Sequence, residues 1–363
     1  MSDPGRASGD RVRDSRAEPA PDGGAEQATD NTGTRPAPSL TGNDLAVSRL
    51  RPAAGAGSHR TGPQKHDLDV LVVGGVGVDT IVRVPELPLP MRDSIMVPPI
   101  EQYLAHTGNG VALGCHHLGL RTHFADVIGE DAEGAKVLET YASVGLSFAH
   151  VTHPSGTRRS VNLVDKRGNR LSLYDGRHPF EMEVGPELYR PAIGRARHVH
   201  VSIMNWARHA LADAVAAGVT TSTDLHDWDG ENEYHQDFAY GADLVFVSTS
   251  ALDDRVEEVT SDILDRGRAR AVIAMAGGEG SYLRLPGQPL KHVPPVPLAP
   301  EEVVDTNGAG DSYVAGFLYA HLAGRSWDEA VRAGSFAGAH AVRTAGTHTS
   351  FITGADLDAA LSA

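Results

Sequence analysis

Apolar residues in this chain come in short bursts. Leu68-Asp69-Val70-Leu71-Val72-Val73 is a nearly continuous apolar run stopped by Gly74-Gly75. That is the pattern of a strand buried on both faces. Comparable β-rich runs recur at His198–Ser202, Thr220–Asp224, Leu244–Val247 and Ala271–Ala276. Stretches with helical spacing lie between them, at Asn109–Leu118, Gly134–Val144, Ala207–Ala217, Leu252–Arg266 and Asp311–Leu322. Strands alternating with helices predict a three-layer α/β/α sandwich with a mostly parallel central sheet. Two regions break the rhythm. Ser94–Leu104 and Ser160–Tyr174 alternate like exposed strands. Asp165-Lys166-Arg167-Gly168-Asn169 reads as a hairpin turn within the second. These regions predict a small β-sheet lid, with strands from about 92–105 and 157–176.

Residues 1–66 have a different character, rich in Gly, Pro, Ala, Asp and Arg, with only Leu45–Leu50 as a weak apolar patch. Such a segment buries too little apolar surface to offset the cost of ordering it, so a disordered N-terminal tail is expected, followed by one domain over 67–363. The tail carries nine basic and eight acidic residues, so the body holds nearly all of the net charge of -15. An acidic body argues against nucleic acid as a partner, because phosphate-backbone binding needs a basic surface. No apolar run approaches the roughly 20 residues that span a bilayer, and the start lacks the apolar core of a secretory signal. No membrane partner and a cytoplasmic location are therefore expected. A single cysteine, Cys115, excludes an intrachain disulfide and any multi-cysteine metal site, and reads as a helix-packing residue.

The most informative stretch is Val303-Val304-Asp305-Thr306-Asn307-Gly308-Ala309-Gly310-Asp311-Ser312-Tyr313-Val314-Ala315-Gly316-Phe317. It is a glycine turn opening a helix whose apolar face is Val314, Phe317, Leu318 and Leu322. Gly308, Ala309 and Gly310 leave backbone N–H groups open at the positive end of the helix dipole, an arrangement suited to phosphate. Asp311, in the first turn, would be a general base for a hydroxyl attacking that phosphate. The same residues also read as a plain glycine turn with Asp311 capping the helix.

This stretch resembles the C-terminal signature of the ribokinase-like, or PfkB, carbohydrate kinase family. Gly74 to Asp79 with Val84-Pro85-Glu86-Leu87-Pro88 resembles that family's first strand and substrate aspartate. Gly108-Asn109-Gly110-Val111-Ala112 resembles its glycine-rich segment, Gly129-Glu130-Asp131-Ala132-Glu133-Gly134 its Gly-x-Asp-x-x-Gly element, and Gly277-Gly278-Glu279-Gly280 its nucleotide-side loop. The resemblance implies transfer of the ATP γ-phosphoryl group to a hydroxymethyl group of a sugar or sugar derivative. ATP and Mg2+ would be the cofactors. Asp311 would be the base and Gly308, Ala309 and Gly310 the anion hole. Asp79, Gly108 and Asn109 would meet the acceptor, and Gly277 and Gly280 the nucleotide. Asp305 and Thr306 would help hold a monovalent cation, K+. A nucleoside kinase, a catalytically silent sugar- or nucleotide-binding protein and a homodimer stay open as alternatives.

The chain departs from the family pattern in places. Ser248-Thr249-Ser250-Ala251 stands where many members have Asn-x-x-Glu, and Gly77 where ribokinases commonly have Asn. The asparagine of Ala105-His106-Thr107-Gly108-Asn109-Gly110 falls about one position early. His198 and His200 share a strand face as a candidate ligand pair. Asp224, His226, Asp227 and Asp229 cluster after a strand, where α/β folds place ligand contacts. Arg158-Arg159 reads either as a phosphate contact or as a solvated edge.

Overall fold

The computed structural model describes residues Ser48–Leu50, by their backbone, and 66–363. The chain runs through β1 (Ser48–Leu50), β2 (Leu68–Val73), β3 (Gly77–Arg83), β4 (Glu101–Ala105), α1 (Thr107–His117), β5 (Thr122–Ile128), α2 (Ala132–Val144) and β6 (Ser147–Thr152). It continues through β7 (Arg159–Val164), β8 (Arg170–Asp175), α3 (Arg190–Ile193), β9 (Ala196–Ser202), α4 (Arg208–Ala216), β10 (Thr220–Asp224), α5 (Gln236–Gly241) and β11 (Leu244–Ser248). It ends with α6 (Val256–Arg266), β12 (Ala271–Met275), β13 (Ser281–Arg284), β14 (Lys291–Val293), α7 (Ala309–Leu322), α8 (Trp327–Ala341) and α9 (Gly354–Ser362).

Ten strands form the main sheet in the order β1-β6-β5-β2-β9-β10-β11-β12-β13-β14. The strands from β6 to β12 in that order pair in parallel, and β1, β13 and β14 add antiparallel edges. The continuous apolar run of β2 follows from burial on both sides. Leu68, Leu71 and Val73 face a core built with α3, α4, α5 and α6. Val70 and Val72 face a second core built with α1, α2, α7, α8 and Leu357 of α9. Cys115 is buried in that second core, and burial pushes its thiol up to about 12. Among the described residues, no helix is long and apolar enough to cross a membrane.

A second sheet runs β4-β3-β7-β8, with β3 and β7 parallel and the outer pairs antiparallel. Its strands differ from the sequence expectation in two respects. Gly77–Arg83 crosses into this small sheet, whereas the expected strand over 92–105 begins only at Glu101. The turn at Asp165–Asn169 forms because one carboxylate organises it. Asp165 Oδ1 accepts from the N–H groups of Arg167 and Asn169, and Gly168 takes a positive φ of 84°.

Within the expected tail, Ser48–Leu50 is a strand paired with Phe148–His150 of β6. An edge strand offers unpaired backbone groups, and the backbone of Ser48–Leu50 takes them up. The rest of the expected tail lies outside the described residues.

Two polar groups tie the lid sheet to the main sheet. Arg158, 2% exposed, donates through Nε to the Val76 carbonyl and through its guanidinium to Asp126 on β5. Asp126 also accepts from the N–H of Val76 at 2.6 Å. Asp131 caps α2 by accepting from Gly134 N, and accepts from the N–H and hydroxyl of Thr157. Arg158 is therefore a strut at the lid's root. Arg159 pairs with Glu133 at 3.0 Å and Asp131 at 3.5 Å. Both arginines are thus engaged by carboxylates of the main body, Arg158 in a buried position and Arg159 in a partly exposed one.

Candidate active site

In the main sheet β2 lies between β5 and β9. The chain goes on from β2 to β5 on one side and from β9 to β10 on the other, so the C-terminal ends of β2 and β9 flank a switch point, where doubly wound sheets hold ligands. Gly74 and Gly75 end β2 there. The backbone of Gly108, at the start of α1, packs against them so closely that a Cβ would stand 1.8 Å from the Gly74 carbonyl oxygen. Gly108 is thus a close-approach residue.

Facing it is the start of α7. Gly308 is the N-cap with φ of 78°, and Asp311 sits in the first turn. Four side chains form a hydrogen-bonded line into this turn. Tyr141 O–H donates to Asn109 Oδ1 at 2.7 Å. Asn109 Nδ2 donates to His348 Nδ1 at 2.9 Å. His348 Nε2–H donates to Asp311 Oδ2 at 2.7 Å. Because Nδ1 accepts, the proton on Nε2 is the one aimed at the carboxylate. The ring of His348 is almost wholly enclosed, with 1% of its side chain exposed. Two glycines make that enclosure: a Cβ on Gly308 would stand 2.6 Å from His348 Cδ2, and one on Gly110 2.3 Å from Nε2. Asn109 was expected at the acceptor, but its amide is fully buried and engaged at both ends. It belongs to the support of Asp311.

Asp79 lies on β3, the lid strand. Its Oδ2 accepts from Asn162 Nδ2 at 2.7 Å. Its Oδ1 is buried without a hydrogen-bond partner, as is Oδ1 of Asn162. His106 Nε2 is 3.3 Å from Asp79 Oδ1, a close approach without hydrogen-bond geometry. The ring of His106 also explains Gly77: a Cβ there would stand 2.4 Å from His106 Cε1. Where ribokinases commonly place an asparagine, this chain inserts an imidazole from the neighbouring strand end. Sequence reading passed over Asn162 and His106. The alternation of β7, with Val161 exposed and Asn162 buried, was the available signal.

On the other flank, Gly277 opens the turn Gly277–Glu279 after β12, and Gly280 leads into β13 with φ of 94°. The end of β12 just before this turn borders the glycine cap, because Met275 Cε would lie 3.7 Å from a Cβ on Gly310. Ser248–Ala251 supplies hydroxyls in place of Asn-x-x-Glu, with Ser248 Oγ donating to Ser250 Oγ at 3.0 Å. Asp253 and Asp254 are exposed in the turn that follows. Asp224, at the end of β10, is 4% exposed. Burial raises its carboxyl above the usual range; His226 opposes the rise and the charge of Asp311 adds to it. Asp224 is therefore the second carboxylate at this end of the sheet.

The expected histidine pair forms no metal site. His198 and His200 are buried and share the Ser222 hydroxyl, at 2.7 and 2.9 Å. Burial lowers both, His200 to about 4. Among the described residues no group of three or more His, Cys, Asp or Glu could hold a metal ion. The expected monovalent-cation site at Asp305 and Thr306 also does not fit. Thr306 is exposed, while the buried carboxylate of Asp305 is already saturated by the N–H and Nδ2 of Asn307, the N–H of Gly346 and the Arg83 guanidinium.

A glycine-capped helix start with a carboxylate in its first turn, beside a mostly parallel sheet that carries a second, smaller sheet, is the arrangement of a ribokinase-like phosphotransferase. Comparison with known proteins agrees. A match to the family described as pfkB family carbohydrate kinase covers residues 67–353. Acarbose 7(IV)-phosphotransferase of Actinoplanes sp. (strain ATCC 31044 / CBS 674.73 / SE50/110) is 46% identical over 292 residues, 80% of this chain and 97% of that protein. A solved microbiome-derived acarbose kinase is 56% identical with a TM-score of 0.77, covering 82% of this chain and 99% of that one. The ribokinase of Arabidopsis thaliana, solved with ribose and ATP, shares the fold at 20% identity and a TM-score of 0.67, covering 81% of this chain and 98% of that one. The chain belongs to the pfkB family of carbohydrate kinases, and its activity is ATP-dependent phosphorylation of a sugar.

Proposed function

We propose that this kinase moves the γ-phosphoryl group of ATP onto a hydroxymethyl group of acarbose or a closely similar polyol. The observation that carries this reading is the 46% identity to an acarbose 7(IV)-phosphotransferase along 97% of its length. The pocket supports it. Asp79 Oδ1 and Asn162 Oδ1 are two buried acceptors without donors, as a polyhydroxylated ligand requires. The His106 ring, packed against Gly77 and 3.3 Å from Asp79 Oδ1, walls the space beside these acceptors. The test is ADP release with acarbose, ribose, fructose and adenosine as acceptors. The highest kcat/KM is expected with acarbose. A preference of about tenfold or more for ribose or adenosine, worth about 1.4 kcal/mol, would sink the reading.

In this reading Asp311 accepts the proton of the attacking hydroxyl, and the N–H groups at Gly308, Ala309 and Gly310 receive the transferring phosphoryl group. ATP lies along the Gly277–Gly280 turn. Mg2+ arriving with ATP would be held by phosphate and water oxygens facing Asp224 and Asp311, the oxygen-rich environment a hard cation prefers. Bound there, it would neutralise phosphate charge. Closure of the lid excludes water from the acceptor.

Two outcomes follow from the geometry. Asp79→Ala removes hydrogen bonds to the acceptor that exist before and during transfer, costing roughly 1.5–3 kcal/mol. Acceptor KM should therefore rise about 10- to 100-fold, with a smaller fall in kcat. An unchanged KM would take Asp79 out of the pocket. His348 is a positioning residue, holding Asp311 without touching the acceptor. His348→Ala should lower kcat about 10- to 100-fold with ATP affinity nearly constant. His348→Gln, whose amide can still donate to Asp311, should recover much of the loss. Equal activity of the alanine and glutamine variants would argue against this positioning role.

A further inference from the structure

At Asp305, where a cation is expected, the structure brings in a residue of the lid. A carboxylate offers about four lone-pair sites, and Asp305 has four donors. Oδ1 accepts from Asn307 N at 3.1 Å and Asn307 Nδ2 at 2.8 Å. Oδ2 accepts from Gly346 N at 3.2 Å and from the guanidinium of Arg83. The carboxylate is 2% exposed and the arginine side chain 37%. The charge enters from the surface and ends on a buried anion.

Arg83 does not act alone. It is the last residue of β3, paired across the sheet with Val164 of β7, which in turn pairs with Arg170 of β8. Arg83, Val164 and Arg170 thus form one row at one end of the lid. Arg170 donates to Asn307 Oδ1 at 2.6 Å. Two lid arginines therefore grip Asp305 and Asn307, the turn that leads into Gly308. The N–H groups of Val304 and Asp305 bind the Val342 carbonyl, and Gly346 N binds Asp305. This joins the same turn to the segment that carries His348.

We propose that Arg83 is a built-in cation. Its guanidinium supplies at Asp305 the positive charge that a monovalent ion would supply, and it couples the position of the lid to the geometry of the anion hole and of Asp311. The enzyme is then indifferent to K+, and loss of Arg83 creates a K+ requirement. The functional part of this proposal rests on the phosphotransfer reading of the Gly308 turn; the occupancy of Asp305 does not.

The experiment measures thermal unfolding and acceptor-dependent ADP release in KCl, NaCl and choline chloride at equal ionic strength. The proteins are wild type, Arg83→Ala and Arg170→Ala. Wild type should melt within about 1 °C in all three salts, because no ion binds the native state preferentially. Arg83→Ala should melt lower in choline and be raised by about 2 °C or more by KCl. Its kcat should be restored about tenfold by K+, whereas wild-type kcat changes less than about twofold. Arg170→Ala leaves Asp305 saturated and should gain no K+ response. Stabilisation of wild type by K+ over choline would overturn the proposal. So would an Arg83→Ala protein whose melting ignores K+, whether or not it is destabilised, or a K+ response of Arg170→Ala as large as that of Arg83→Ala. If wild type releases no ADP in any salt, the phosphotransfer reading fails, and the melting curves still decide what occupies Asp305.

Discussion

Asp311→Asn should lower kcat by about 10²–10⁴ while ATP binding changes little. Sugar hydroxyls are very weak acids, so attack on the γ-phosphorus gains from a group that takes the proton as the new bond forms. Asp311 stands in the first turn of the helix capped by Gly308. One of its oxygens is fixed by the Nε2 proton of His348 at 2.7 Å. The asparagine oxygen can accept that same hydrogen bond, so the geometry survives and only the basic oxygen is lost. The backbone N–H groups of the cradle are unchanged, which is why nucleotide affinity should be kept. Acceptor-dependent ADP release and nucleotide titration of the same variant separate the two effects. Retention of more than about a tenth of wild-type kcat, a factor worth about 1.4 kcal/mol, would remove Asp311 as the base.

The largest effect on stability is expected from Asp126→Ala. Arg158 is enclosed at 2% exposure, with its charge matched by Asp126. Removing the carboxylate leaves a buried guanidinium without its counter-ion and strips the Val76 N–H of its acceptor. Breaking a buried pair from one side costs about 3–5 kcal/mol. In a folded body of this size that corresponds to a fall in Tm of roughly 5–8 °C. The double replacement Asp126→Ala with Arg158→Met, which buries no charge, should be less damaging than Asp126→Ala alone. Calorimetric unfolding of the three proteins checks both statements. A loss below about 1 kcal/mol for Asp126→Ala would show that the Arg158 charge finds water or another partner. Because the pair ties β5 to the roots of β3 and β7, the destabilised variant should also lose lid order, read as faster hydrogen exchange in residues 77–83 and 159–175.

Local chemistry made much of this protein legible from its sequence. The run Leu68–Val73 reads as a strand covered on both faces because no polar face interrupts it. The Asp165–Asn169 turn is written in an aspartate that bonds its neighbours' N–H groups and a glycine that takes positive φ. The cradle at Gly308–Asp311 is also local: a glycine cap and an acidic residue in one helical turn. Other features have no local signature. Gly77–Arg83 follows β2 after three residues and carries apolar residues of its own; only pairing with β4 and β7 assigns it to the lid. Asn109 lies in the glycine-rich segment and reads as an acceptor contact, yet its amide meets His348, 239 residues away. Arg83 reaches Asp305 across 222 residues. Periodicity, capping and turn chemistry act over a few residues, so the sequence by itself determined the elements and the glycine-capped turn with its aspartate. Partners far apart in the chain are chosen by strand order and by the glycines that let backbones and rings close in. For that reason only the tertiary structure decided that His348 holds Asp311, that His106 fills the space beside Gly77, and that Arg83 meets Asp305.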